Sequence, residues 1–190
     1  IQQSILNIYH TENVLNLNKR ILLLTNNPLI APHRYPALYS GNSIVSWETL
    51  KKIPFHNLSA ANIGVSFWSH DIGGFYGDAP SPELLVRWVQ AGIFTPRFSI
   101  HSGNSDNTVT EPWMYPEYTH YIRDAIKFRY RLFPYLYSLM AASHENGDMI
   151  MNPLMAAFPE DERVYDNSES YVLGDSLLVA NVLDKGDRKS

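Results

Sequence analysis

The sequence predicts an α/β fold, the C-terminal half of a (β/α)8 barrel of the TIM type, and three observations carry that expectation. Short apolar runs end near Leu24, Tyr39, Trp68 and Ile100. Each is followed at once by Asn, Gly, His or Asp, and helical patterns separate the later ones. Reactive residue types therefore fall again and again at the C-terminal ends of strands, as on the active face of a barrel. A doubly wound sheet would gather its polar groups at one switch point instead. A closed barrel needs eight strands, and only four are legible here. The chain also starts Ile1-Gln2-Gln3-Ser4, with neither an initiator Met nor a signal pattern. It reads as an interior piece of a longer protein.

Ile21-Leu22-Leu23-Leu24 is too short for a helix and suits a parallel strand buried on both faces. Pro28 to Pro36 carries three prolines and cannot be helical. Pro36 to Tyr39 is a second strand entering the turn Ser40-Gly41-Asn42. Ser46 is an N-cap for a helix that Pro54 should interrupt or end. Ile63 to Trp68 alternates bulky and small residues and reads as a third strand. Ser81-Pro82-Glu83 opens an amphipathic helix whose stripe is Leu84, Leu85, Trp88, Val89 and Ile93. Phe94 to Ile100 is the fourth strand candidate. A long helix runs from about Tyr118 to Glu145, with Ile122, Ile126, Phe133, Leu136 and Met140 on one side. Pro134 should kink or split it, and Gly147 should stop it. Two strands around a tight turn, Tyr171–Leu173 and Ser176–Val182, then change the texture. The boundary is set so that residues 1–148 and 149–190 form two domains.

Composition narrows the function. The chain has 190 residues, a net charge of −4, 18% charged and 13% aromatic residues. A mildly acidic chain without a basic run does not suit nucleic acid, where phosphates need clustered Lys and Arg. No apolar run approaches the roughly 18 residues of a membrane span. Zero cysteines exclude disulfides and thiolate chemistry. That absence slightly favours a cytoplasmic protein, although many secreted bacterial proteins also lack cysteine.

The densest chemical cluster is Trp68-Ser69-His70-Asp71-Ile72-Gly73-Gly74-Phe75. In one reading it is a turn, with Asp71 capping amides and the glycines supplying positive φ. In the other, Asp71 points from a strand end into a pocket walled by Trp68 and Phe75. A carboxylate beside aromatic walls suits sugars, whose C–H faces stack on rings while hydroxyls bond the acid. His101 closes the fourth strand, and Glu111-Pro112-Trp113 belongs on the same face. A metal site of His70, Asp71 and His101 is a further reading, weakened by the absence of His-x-His or His-x-x-x-His spacing.

Several motifs resemble glycoside hydrolase family 31. They are Arg34-Tyr35-Pro36-Ala37-Leu38-Tyr39-Ser40-Gly41-Asn42 with Trp47-Glu48, then Phe67 to Phe75, Arg87 to Phe94, Ile122-Arg123-Asp124-Ala125 with Arg129 to Tyr137, and Leu173 to Ala180. The order is collinear from about Arg20 onward. The resemblance implies a retaining α-glycosidase, acting by double displacement on terminal α-linked sugars, on an α/β barrel followed by a β-sandwich. It implies glycoside substrate and the rest of the chain's own polypeptide as partners, and neither metal nor cofactor.

Residue by residue, the resemblance makes Asp71 the aspartate that binds sugar hydroxyls, His101 a histidine of the same subsite and Trp68 an aromatic wall. Asn42 stands where the family carries its acid/base aspartate, and an amide can neither donate nor accept that proton. Tyr39 stands where tryptophan is commoner, and Asn26 and Ser99 where many members carry a sugar-binding arginine. The family's nucleophile belongs to a motif upstream of Ile1. Asn42 is then either an engineered change that traps substrate or a natural loss leaving a sugar-binding pseudoenzyme. Retention of Asp71, His101 and Trp68 favours the former. The differences at 26 and 99 point to a changed sugar, for example an N-acetyl-α-galactosaminide.

Overall fold

The computed structural model describes residues 2–15, 22–25, 37–105 and 109–188. Its elements run α1 (Gln2–Leu15), β1 (Leu24–Thr25), β2 (Ala37–Tyr39), α2 (Trp47–Asn62), β3 (Trp68–Ser69), α3 (Pro82–Gly92), α4 (Thr119–Asn146), β4 (Met151–Pro153), α5 (Leu154–Ala157), a 3-10 turn (Glu162–Val164), β5 (Ser170–Leu173) and β6 (Leu177–Ala180).

β1, β2 and β3 form a parallel sheet in that order, with Leu24 opposite Ala37, Leu38 opposite Trp68 and Tyr39 opposite Ser69. A parallel bridge from Ile72 to Ile100 extends the series by one strand position. Parallel strands joined through helices are the α/β barrel arrangement. β4, β5 and β6 form a separate antiparallel sheet. It includes the hairpin read from the sequence, as well as β4, which the sequence reading lacked. α1 was not foreseen either.

The helix starts follow the sequence. Ser46 accepts the amide of Thr49 at 3.1 Å, and Ser81 accepts that of Leu84 at 3.4 Å, each filling an orphan donor. Gly147, with φ of 80°, ends α4 by donating to the carbonyl of Ser143.

Four expectations are corrected. Both helix prolines are carried through: α2 continues past Pro54 and α4 past Pro134. In α2 the buried residues Leu50, Ile53, Leu58, Ala60 and Ala61 flank the proline on one face. Packing of that extent outweighs a local cost of about 3 kcal/mol. The third strand is shorter than expected, because Ile63 and Gly64 cap α2 and only Trp68–Ser69 pairs. Residues 94–97 turn and bend, 98–99 pair with no strand, and only Ile100 bridges. The first strand begins at Leu24; Leu22 and Leu24 are exposed rather than buried on both faces, because β1 ends the sheet. Ile21, the proline segment 28–36 and Asn26 lie outside the described residues.

Phe133 is also turned out, 55% exposed and stacked on Tyr130. α4 packs first on the cluster of Leu85, Trp88 and Val89 through Ile122, Ala125 and Ile126. Farther along it packs on Ile150, Met151, Tyr171 and Leu173 through Leu132, Tyr135, Leu136 and Leu139. The contact face rotates between these two cores, and Phe133 falls outside it.

Candidate functional site

Strand alternation decides which side chains share the barrel interior. Leu38 and Trp68 pack with Ala60 and Val65 on the helical side. His70 stacks on Trp88 of α3, with centroids 6.5 Å apart, and Ile72 joins the α3 core. Ser69 and Asp71 therefore face the other way, as does Tyr39, the register partner of Ser69. Phe98 and Ile100 pack against the same core. Arg97 reaches Ser69 on this side, and His101 lies near enough to Asp71 to act on its charge.

The centre of this group is Asp71, 1% exposed. Its Oδ2 has no hydrogen-bond partner. Burial raises its pKa above the usual carboxylate value, while the nearby His101 and Arg97 act in the opposite direction. A buried carboxylate left unpaired is costly unless something bonds it. The turn that follows is closed by the backbone, the Gly74 amide donating to the Asp71 main-chain oxygen at 3.1 Å. Gly73 and Gly74 have φ of 92° and 82°. The turn of the first reading exists, but the carboxylate does not cap it.

Three loops are tied together beside Asp71. The Phe75 amide donates to the Ser43 carbonyl at 2.7 Å, and the Gly103 amide donates to the Phe75 carbonyl at 2.8 Å. The Phe75 ring lies 5.4 Å from that of His101, which is exposed. Ile72 donates to the Ser99 carbonyl at 2.9 Å, fixing the segment that delivers His101.

The structure thus brings Asp71, His101 and Phe75 together, with Tyr39 inward on the neighbouring strand. Trp68 is half-buried and packs against Leu38, Ala60 and Val65, on the opposite face of its strand from Ser69. Asn42 is exposed and follows Gly41 in the loop after β2, at the same end of the sheet as Asp71. Glu111 is half-buried, and its carbonyl accepts the amide of Met114. Sequence reasoning missed Arg97, whose Nη1 donates to Ser69 Oγ at 2.6 Å. No local signal marked it, because residues 94–97 turn and bend where a strand was expected. His70 is buried with both ring nitrogens unpartnered, and its pKa falls to about 3, chiefly from burial and then from Arg97 and His56. Among the described residues no three His, Asp or Glu side chains gather as a metal site.

Comparison with known proteins decides the family. The profile of the glycosyl hydrolases family 31 TIM-barrel domain matches residues 2–139, and that of the family's C-terminal domain matches residues 147–190. The chain belongs to glycoside hydrolase family 31. It is 41% identical over 155 residues to a probable glucan 1,3-alpha-glucosidase of Arabidopsis thaliana, covering 80% of this chain and 16% of that protein. Identity to human neutral alpha-glucosidase AB is 40%, with the same coverage. The chain therefore spans about a sixth of the length of these family 31 relatives. A Flavobacterium johnsoniae family 31 dextranase complexed with glucose superposes with a TM-score of 0.86 at 33% identity, over 94% of this chain and 23% of that one. A glucosidase II alpha subunit does so with a TM-score of 0.82 at 30% identity, over 86% and 18%. No helix among the described residues is long and apolar enough to cross a membrane.

Proposed function

We propose that this family 31 chain is the sugar-binding, C-terminal part of the catalytic barrel of a retaining α-glycosidase, with residues 149–190 beginning a β-sandwich. The carrying observation is the buried carboxylate of Asp71 just after β3, whose Oδ2 has no hydrogen-bond partner and whose charge His101 and Arg97 favour. In this reading Asp71 accepts hydroxyls of the terminal sugar, and His101, held by Phe75, bonds an adjacent oxygen. Tyr39 contributes to the inward wall, and Asn26 is assigned to the same subsite by resemblance.

Double displacement needs two carboxyl groups about 5–5.5 Å apart, one attacking and one donating and then accepting a proton. Asn42 takes the position of the proton-transferring group, so the chain binds the sugar and does not cleave the bond as it stands. The nucleophile belongs to the remainder of the polypeptide. Names of the relatives favour an α-glucoside, with an N-acetyl-α-galactosaminide as the competing sugar. A second reading, sugar binding without catalysis, is favoured by Asn42 itself.

Titration of the protein with methyl α-glucoside and methyl N-acetyl-α-galactosaminide, followed by NMR of the His101 ring, tests the site. One of the two should shift His101, and Asp71→Ala should abolish that shift while the fold persists. Binding that is indifferent to Asp71→Ala sinks the assignment.

A further inference from the structure

Arg97 turns its charge toward β3 rather than into water. It is half-buried, and its Nη1 donates to Ser69 Oγ at 2.6 Å. Ser69 is wholly buried and stands two residues before Asp71, on the same side of the chain. The guanidinium is felt by both residues that follow Ser69. Burial first, and then the charge of Arg97, keep the His70 ring neutral. Burial works against the charged form of Asp71, while His101 and then Arg97 work for it. The segment carrying Arg97 is fixed from behind. The Thr95 hydroxyl bonds the Arg97 carbonyl at 2.8 Å, and Arg129 holds the carbonyls of Ile93, Thr95 and Pro96.

Asp71 is 1% exposed, and its Oδ2 has no hydrogen-bond partner. A carboxyl in such a setting keeps its proton unless a countercharge is close. Protonated, it loses the charge-assisted bonds that make it a strong acceptor for hydroxyl groups. Of the two cations that act on it, a histidine can give up its charge in neutral water, whereas a guanidinium does not. We propose that Arg97, seated on Ser69, is a positioning residue for Asp71: it supplies a standing countercharge that keeps the carboxylate ready, and it leaves the sugar contact to Asp71 itself. This rests on the reading of Asp71 as sugar-binding.

The test follows the affinity of the 190-residue protein for methyl α-glucoside by titration calorimetry between about pH 4 and 8, the range in which a buried carboxyl changes charge. Affinity should fall toward acid pH as Asp71 takes up its proton. In Arg97→Met that fall should begin about one pH unit higher, the low end of what a nearby guanidinium does to a carboxyl. Well above the fall the two proteins should bind alike. Arg97→Lys keeps a charge and should restore most of the profile. Ser69→Ala removes the seat with little change of volume, should move the fall in the same direction by less, and serves if Arg97→Met does not fold. A side chain that touches the sugar would instead weaken binding equally at every pH. One that only props the fold would lower the melting temperature and leave the profile unmoved. Either result, in Arg97→Met or in Ser69→Ala, overturns the proposal. Failure of the sugar reading looks different: the glucoside then binds at no pH, or binds Asp71→Ala equally well, and the role of Arg97 falls with it.

Discussion

Nη1 of Arg129, on α4, donates to the main-chain carbonyl of Thr95 at 2.7 Å, and the same nitrogen reaches the carbonyl of Ile93 at 2.6 Å. Nη2 bonds that of Pro96 at 2.9 Å, and the guanidinium lies 5.3 Å from the Phe98 ring. Arg129 is 8% exposed, and no ion pair to a carboxylate is found for it among the described residues. Burial lowers its pKa to about 10. A cation is thus buried on main-chain oxygens alone, and the turn it holds feeds directly into Arg97, Ser99 and His101.

Replacing this cation leaves three carbonyls without their donor. Arg129→Met should cost roughly 2–5 kcal/mol, since each orphaned buried group costs about 1–3 kcal/mol and the relief of burying no charge offsets part of it. Urea unfolding measures this. Hydrogen exchange should show the Ile72 amide, bonded to Ser99, losing protection ahead of the α2 core.

Such an interaction explains what was legible in the sequence and what was not. Ser46 and Ser81 announce their helices because a cap is a local event, settled within three residues. The inward direction of Asp71 at a strand end is local as well. Pro54, and the split considered at Pro134, misled for the opposite reason: whether a helix continues past a proline depends on packing from distant segments. The role of Arg129 was not legible, because the carbonyls it bonds lie more than 30 residues away. Trp68 was assigned to the sugar wall from adjacency to Asp71 and from the resemblance; its packing against Leu38, Ala60 and Val65 depends on the neighbouring strand and helix and was not legible.

His70 should make the fold acid-sensitive. Its folded pKa is about 3 against an ordinary 6.5. Above pH 6.5 neither state is protonated and its contribution is full. Between about 6.5 and 3 the unfolded chain takes up a proton that the folded one refuses, so stability falls by up to about 1.4 kcal/mol per pH unit. Asp71 acts oppositely near its own raised pKa, so the comparison must be between variants. His70→Phe, which keeps a ring against Trp88, should flatten the slope between pH 6 and 4. An unchanged slope in that variant would assign the acid sensitivity elsewhere.

Asp71 should matter to ligand rather than to fold. Asp71→Ala removes an unpaired buried charge, so the free protein should melt no lower than the original. Sugar affinity should drop by about 1.5–3 kcal/mol, the worth of a charge-assisted hydrogen bond. A collapse in melting temperature with unchanged affinity in the folded fraction would instead make Asp71 a turn residue.

Asn42 can be probed through the leaving group, in a full-length protein that carries the nucleophile. An α-glycosyl fluoride needs little proton donation, so its first step should proceed. A natural α-glycoside requires protonation of the departing oxygen and should react more slowly by about 10²–10⁴-fold, the usual worth of general acid catalysis. Water attack on the glycosyl-enzyme also lacks its base, so the intermediate should accumulate. Azide needs no deprotonation and should restore turnover as the α-glycosyl azide. Asn42→Asp should then recover hydrolysis of the natural glycoside with a bell-shaped pH profile, because one carboxyl must donate while the other is ionised. An Asn42→Asp protein that binds sugar but stays inert would show that more than one catalytic group is missing. It would favour the sugar-binding, non-catalytic reading.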